Sequence, residues 1–115
     1  MKTIEEILGT DDAHRETITV PEWSTDVLVV SMTAAERADI EKKWAKKSAS
    51  DDPAQFRVDI LERSLKKVDG KTPFGTPEQI KQLIGKNANA VERVFEAACK
   101  VSAFSKQDVR ELEKN

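Results

Sequence analysis

The sequence predicts a mainly α domain of the α+β class, in which an N-terminal β-hairpin packs on a bundle of about four to five short helices. β-branched alternating segments are confined to residues 17–32, whereas helix-capping residues followed by Pro, Glu or Gln recur after residue 32. The 115 residues fit one domain. We expect a flexible segment with a short helix over 1–14 and one domain over 15–115, with the hairpin in 16–32 and the helices in 33–114.

Composition limits the compartment and the class of partner. The chain has 19 Lys and Arg against 21 Asp and Glu, and this net charge of −2 argues against a protein that coats nucleic acid. The longest aliphatic run, Val27–Val30, is far shorter than the ~20 residues that cross a bilayer, and Met1–Asp12 does not resemble a secretory signal. One cysteine makes no internal disulfide. We expect a cytoplasmic protein with no membrane partner.

The N-terminal elements are a short helix and a hairpin. Thr3–Leu8 has its aliphatic residues on one side and is too short to be stable alone, so it either docks on the body or frays. Thr17–Val20 and Asp26–Met32 show strand patterns. Pro21 ends the first strand because it has no N–H for a ladder. An isolated hairpin is marginal in water, so this one must pack on helices.

The next two helices are predicted from their start signals. Thr33–Glu36 matches a capping box for a helix that runs to about Lys47. Asp52 followed by Pro53 begins another, which we expect to end at Asp69–Gly70. The apolar stripe of this second helix is Val58, Leu61, Leu65 and Val68, flanked by Phe56 and Ile60.

A loop over Lys71–Gly75 follows, with Phe74 as its apolar anchor. Thr76, followed by proline, caps the next helix, and Gly85 is placed to end it in a left-handed conformation. The inward residues of this helix are Ile80, Leu83 and Ile84.

Two further helices complete the chain. Asn87 or Asn89 caps the first of them, and the second begins at Ser105, where Phe104 and Val109 are spaced for a hydrophobic staple. The first carries a continuous apolar stripe of Val91, Val94, Phe95 and Ala98.

Catalytic chemistry has little support in the sequence. Cys99 and His14 are the one nucleophile and base that could be paired. Cys99 lies beside an apolar helix stripe, which favours a buried structural thiol. One His and one Cys are too few for a zinc site. We therefore expect no enzyme activity, no catalytic or metal-binding residues and no cofactor.

Two tryptophans and a lysine cluster are the candidate contact residues. Trp44 lies among Lys42, Lys43, Lys46 and Lys47, which indicates either a site for nucleic acid or an acidic partner, or a solvated helix face with Ile40 and Trp44 along its apolar edge. The second interpretation is favoured, since Glu36, Asp39 and Glu41 offset the charge. Trp23, beside Pro21 at the hairpin tip, either packs under the loop or anchors a partner. Pro21, Trp23 and Trp44 are thus the candidate partner contacts.

Two parts of the chain resemble a known family. Ile18-Thr-Val-Pro-Glu-Trp23, a short strand and Met32-Thr-Ala-Ala-Glu-Arg37 resemble the opening of small tail assembly chaperones of long-tailed bacteriophages. Ala88–Asn115, with V-E-R-V-F-E-A-A and then S-K-Q-D-V-R-E-L-E-K-N, is similar to the end of that family. The resemblance spans most of Ile18–Asn115, and it rests on the order of the segments.

The resemblance implies a non-enzymatic helper in the host cytoplasm. Such a protein binds the tape measure protein, keeps it soluble while tube subunits polymerise, and is absent from the finished virion. A frameshift-extended long form recruits the tail tube protein. Self-association is a further expectation, and Glu113–Asn115 permits a slippery codon heptamer. The alternatives are a minor tail component that stays in the particle and a small nucleic-acid-binding regulator.

Overall fold

The computed structural model describes residues 1–46 and 52–104. These residues form a three-stranded antiparallel sheet packed on helices, so the predicted fold class is confirmed. The elements are α1 (Ile4–Leu8), β1 (Arg15–Val20), β2 (Thr25–Val30), α2 (Ala34–Ala45), α3 (Pro53–Ser64), β3 (Leu65–Lys66), α4 (Pro77–Leu83) and α5 (Ala88–Val101). The predictions for Lys47, for the helix from Ser105 with Val109, and for Glu113–Asn115 lie outside the described residues.

One face of the hairpin carries most of its buried aliphatic residues. β1 pairs with β2 in a register that runs from Arg15 opposite Val30 to Val20 opposite Thr25. Because side chains alternate along a strand, Val27 and Val29 project to the same side. Both are at most 2% exposed, and α5 packs against both strands. The hairpin therefore lies on a helix, as expected.

The third strand was not predicted. α3 ends at Ser64, before the expected end at Asp69–Gly70. Leu65 instead pairs with Val29 of β2, and its side chain is still buried at 1% exposure. Val68 lies past the strand and is 99% exposed, so its predicted place in the helix stripe is wrong. The apolar spacing predicted a longer helix because it placed Leu65 in the core. Leu65 is indeed buried in the core, but it lies on a strand.

A tight turn after β3 stabilises this arrangement. Asp69 Oδ1 accepts the backbone N–H groups of Lys71 at 2.9 Å and Thr72 at 2.8 Å. Gly70 has a φ of 74°, a left-handed conformation that glycine adopts without steric cost. Lys67 then donates its N–H to the Thr72 carbonyl at 2.8 Å, so the returning chain runs along the outer side of β3. The two bonds to Asp69 compete with helix formation, because they give the N–H groups of Lys71 and Thr72 a side-chain acceptor in place of a helical carbonyl.

The predicted helix starts are confirmed at the level of individual hydrogen bonds. Thr33 and Glu36 form a reciprocal capping box, with distances of 3.1 and 3.0 Å. Thr76 does the same for α4, and Asp52 accepts the first-turn N–H of α3 at 3.2 Å. Asn87, the first of the two candidates, caps α5. Local side-chain chemistry thus sets where these helices begin.

The end of α4 differs from the prediction. Gly85 does not adopt the left-handed conformation expected of it. Its N–H bonds to the Gln82 carbonyl at 3.0 Å instead. This i to i+3 bond tightens the last turn and ends the helix without a left-handed residue.

Three aromatic rings join the helices at the centre of the core. Trp44 of α2 and Phe56 of α3 meet edge to face with centroids 5.3 Å apart, and Phe56 meets Phe95 of α5 at 6.2 Å. Such edge contacts add to the stabilisation from burial. The predicted stripe of α5 is buried throughout: Val91, Val94, Phe95 and Ala98.

The first helix does not dock on this core. Ile4, Ile7 and Leu8 are 61%, 53% and 77% exposed. Thr3 caps the helix by accepting the Glu6 N–H at 3.3 Å. The sequence predicted that this helix either docks on the body of the protein or frays, and the structure shows that it does not dock. None of the helices within 1–46 and 52–104 is long and apolar enough to cross a membrane.

Phe95→Ala should lower the free energy of unfolding by about 3–5 kcal/mol, because it removes a buried ring from the centre of the core. Chemical denaturation followed by circular dichroism measures this change. Phe74→Ala is the matched control, since Phe74 is 41% exposed and its truncation should cost less than about 1 kcal/mol. An unchanged midpoint for Phe95→Ala would contradict the inward position of α5.

Asp69 should titrate well below an ordinary aspartate. Bonds from the Thr72 hydroxyl and from two backbone N–H groups lower its pKa from 3.8 to about 2. Because the folded pKa lies below the unfolded one, this group stabilises the fold above pH ~4, and its contribution is lost as the pH falls towards 2. NMR titration of the carboxyl carbon measures the pKa. Thr72→Val should raise it, whereas Thr19→Val should not, and an unperturbed Asp69 would contradict the turn geometry.

Candidate partner-binding surfaces

The hairpin tip is a rigid turn that presents Pro21. Pro21–Trp23 form one turn of 3₁₀-helix, and the Ser24 N–H bonds to the Pro21 carbonyl at 3.0 Å. Ser24 has a φ of 54°, a conformation that non-glycine residues adopt rarely and mostly in turns. Pro21 is exposed, as a contact residue must be.

An ion pair fixes the tip to α5. Glu22 accepts two N–H bonds from the Arg93 guanidinium, at 2.9 and 3.2 Å. Bidentate pairs of this kind are stronger and more directional than single contacts. The Arg93 guanidinium holds the pKa of the Glu22 carboxyl below its usual range. The tip is therefore held by a long-range contact as well as by its own turn.

Trp23 is half-buried and packs at the edge of the core. Its Nε1 is buried and has no hydrogen-bond acceptor among the described residues. Packing alone thus holds the indole ring, although buried indole N–H groups usually find a partner. The position favours packing as one role of Trp23, and the residue is still partly exposed at the hairpin tip. The two interpretations of Trp23 are therefore compatible.

The second candidate, Trp44, is a core residue. Its side chain is 1% exposed, and its Nε1 donates to Asp59 Oδ2 at 3.0 Å. A ring enclosed in this way offers no surface to a partner or to a nucleic-acid base. The prediction of Trp44 as a contact residue is therefore corrected: the apolar edge of α2 faces inward.

Asp59 is a buried carboxylate with a full set of donors. Besides Trp44, it accepts from Gln55 Nε2 at 2.9 Å and pairs with Lys43 Nζ at 2.7 Å. Partial burial, and then the charge of Asp59, raise the pKa of the neighbouring Glu62. One lysine of the predicted basic cluster, Lys43, is therefore already paired within the chain while its side chain stays partly in solvent, which favours the interpretation of α2 as a solvated helix face.

The thiol and imidazole of the chain lie in different environments. Cys99 is buried on the inner side of α5 at 6% exposure, as a structural thiol would be. His14 is exposed beside the start of β1, where its backbone carbonyl accepts from Ser31 N–H at 2.8 Å. In the part of the chain that the structure describes, no three His, Cys, Asp or Glu side chains are grouped so as to hold a metal ion.

A further surface was missed by the sequence reasoning. An open groove of about 390 Å³, which we call the loop groove, is lined by Lys67, Pro73, Phe74, Thr76, Pro77 and Gln79. Val68, just past β3, is fully exposed. Its helical spacing predicted burial, so the pattern gave no sign of this exposed side chain. The exposed face of α1 is the other large apolar surface of the described chain.

Loss of the ion pair between Lys43 and Asp59 should lower the free energy of unfolding. Lys43→Met leaves a buried carboxylate with one donor fewer and should cost about 1–3 kcal/mol. Lys42→Met removes an exposed lysine of the same helix and should change stability by less than about 0.5 kcal/mol. Thermal and denaturant unfolding of the two variants compare them directly. Equal stabilities would mean that the ion pair does not hold α2 on α3.

Searches against protein-family models, curated proteins and solved structures return no significant match to this chain.

Proposed function

We propose that this chain is a tail assembly chaperone of long-tailed bacteriophages. In the host cytoplasm it binds the tape measure protein, keeps it soluble and helps to load tail tube subunits, and it leaves before the virion is complete. A frameshift-extended form brings the tube protein. The chain acts by binding and not as an enzyme.

The observation that carries the proposal is the hairpin tip. The resembling segment Ile18–Trp23 forms the end of β1 and the tip itself, where Pro21 is exposed and Trp23 is half-buried. A tryptophan that is held in place loses little conformational freedom on binding, and this is why such residues dominate many interfaces. The pairing of Glu22 with Arg93 adds to this rigidity.

The chemistry of the tape measure protein suits such a contact. A long helical protein exposes an apolar stripe until the tube covers it, and amphipathic helices are recognised through such stripes. A small apolar surface gives weak individual contacts, so many copies can cover the stripe and still be displaced. The charged residues, 35% of this chain, would keep the coated complex in solution.

Co-expression with the tape measure protein of the same genome, followed by affinity capture and light scattering, tests the proposal. We expect soluble tape measure protein that carries several copies of this chain. Trp23→Ala should weaken capture by at least about tenfold, as truncation of a central interface tryptophan does. Trp44→Phe is the matched control: it destabilises the core but leaves the tip intact, so folded protein should capture normally.

Each other outcome contradicts a stated part of the proposal. Normal capture by folded Trp23→Ala would exclude the tip as the contact. Tape measure protein that precipitates with both the short and the long form would overturn the chaperone function. Stoichiometric amounts in purified virions, measured by mass spectrometry, would identify a retained tail component instead. Binding to nucleic acid that weakens steeply with salt would support the regulator.

A further inference from the structure

The turn that follows β3 contains an Asp-Gly step, the sequence at which an aspartate isomerises most readily. Of the four glycines, only Gly70 follows an aspartate or an asparagine. Glycine has no Cβ, so no side chain hinders its backbone nitrogen from approaching the carboxyl carbon of Asp69. In an unfolded chain these two groups can close a five-membered ring.

The reaction is a cyclisation followed by a hydrolysis. The lone pair of the Gly70 nitrogen attacks the Asp69 carboxyl carbon and forms a C–N bond, while the nitrogen proton and the carboxyl hydroxyl leave as water. Solvent water then opens the ring. Cleavage at the side-chain carbon restores aspartate, and cleavage at the main-chain carbonyl carbon gives isoaspartate. One water is released and one is consumed, so nothing is oxidised or reduced and the mass is unchanged.

The folded turn holds the nucleophile of this reaction. The Gly70 N–H donates to the Lys67 carbonyl at 2.8 Å. Gly70 is buried, and a Cβ atom on it would lie 2.7 Å from Arg15 Nε, so the Arg15 side chain lies over this residue. The nitrogen must give up its proton to form the new bond, and here that proton is held in a hydrogen bond.

The same turn also holds the carboxyl group. Asp69 Oδ1 accepts the N–H groups of Lys71 and Thr72, and Oδ2 accepts the Thr72 hydroxyl at 2.5 Å. Cyclisation uses the protonated carboxyl, because its hydroxyl leaves as water. These bonds lower the pKa of Asp69 from 3.8 to about 2, so at neutral pH the protonated form is roughly sixtyfold rarer than in an ordinary aspartate.

We propose that the Asp69–Gly70 step is a site of backbone isomerisation, which the hydrogen-bonded turn suppresses and which local opening of the turn releases. The rate in the folded chain then equals the rate in the open turn multiplied by the fraction of molecules in which the turn is open. This modification does not depend on the proposed function.

Isomerisation would damage the turn in which it occurs. The isoaspartyl link adds one methylene to the main chain and leaves a carboxylate attached directly to Cα, so the three bonds of Asp69 cannot all be kept. The bond from Lys67 to the Thr72 carbonyl and the bridge between Lys66 and Pro73 follow directly from this turn. The modified chain should therefore lose the ordered return along β3.

Incubation of the full chain at neutral pH, in buffer and in guanidinium chloride, tests the proposal. Isoaspartate and aspartate have the same mass, so electron-transfer fragmentation of the proteolytic peptides is used to distinguish them. In the unfolded chain we expect residue 69 to be the main site of isomerisation. In the folded chain isoaspartate at this position should form at least about tenfold more slowly.

Thr72→Val separates the effect of the turn from that of the whole fold. It removes the hydroxyl bond to Asp69, so the folded variant should isomerise at least about threefold faster than the parent, while the two unfolded chains react at the same rate. Thr19→Val is the matched control, because it makes the same substitution at an exposed position of β1. It should leave both rates unchanged.

Hydrogen exchange at the Gly70 N–H measures the opening of the turn independently. The slowing of isomerisation should be at least as large as the protection of this N–H, because cyclisation needs both the nitrogen and the carboxyl group to be released. Equal rates in the folded and unfolded parent would overturn the proposal, as would an unchanged rate in folded Thr72→Val. Isomerisation of the unfolded chain mainly at another aspartate would overturn the choice of Asp69.

Discussion

The buried carboxylate of Asp59 determines how the helices meet. An ionised carboxylate inside a protein costs several kcal/mol unless donors replace its lost water. Here Trp44, Gln55 and Lys43 supply them, from both α2 and α3. The bond to Trp44 orients the indole, which then meets Phe56 edge to face. Since Phe56 contacts Phe95 in turn, one polar interaction sets the packing of three helices.

α5, which completes the aromatic core, also fixes the position of the hairpin, because contacts at both ends of the hairpin join it to α5 and to the residue that follows α5. Arg93 binds the tip through Glu22, while Ser102, which follows α5, accepts the N–H of Met32 at 2.9 Å. Arg37 closes the second contact by donating to the Ser102 carbonyl at 3.2 Å. The contact residues proposed at the tip are thus held by the same helix that completes the aromatic core.

A structural feature could be predicted from the sequence when residues close to it in the chain determine it, and could not when a contact across the fold determines it. The capping box of Thr33 and the buried face of α5 follow from neighbours a few positions away, so they were predictable. The strand at Leu65 depends on a pairing with Val29 across the fold, and its spacing suited a helix equally well. Trp44 and Trp23 were indistinguishable as candidates because only tertiary contacts decide which ring is enclosed. The loop groove had no local signal at all, and the helical spacing of Val68 wrongly predicted that its side chain is buried.

The segment that returns along β3 also limits how the sheet can grow. Lys66 is bridged to Pro73 on the outer side of β3, and proline has no N–H with which to extend a ladder. A further strand therefore cannot add at that side in register, which is how many proteins protect a sheet edge from aggregation. Pro73 thus closes the β3 edge of the sheet to backbone pairing with a strand of another molecule.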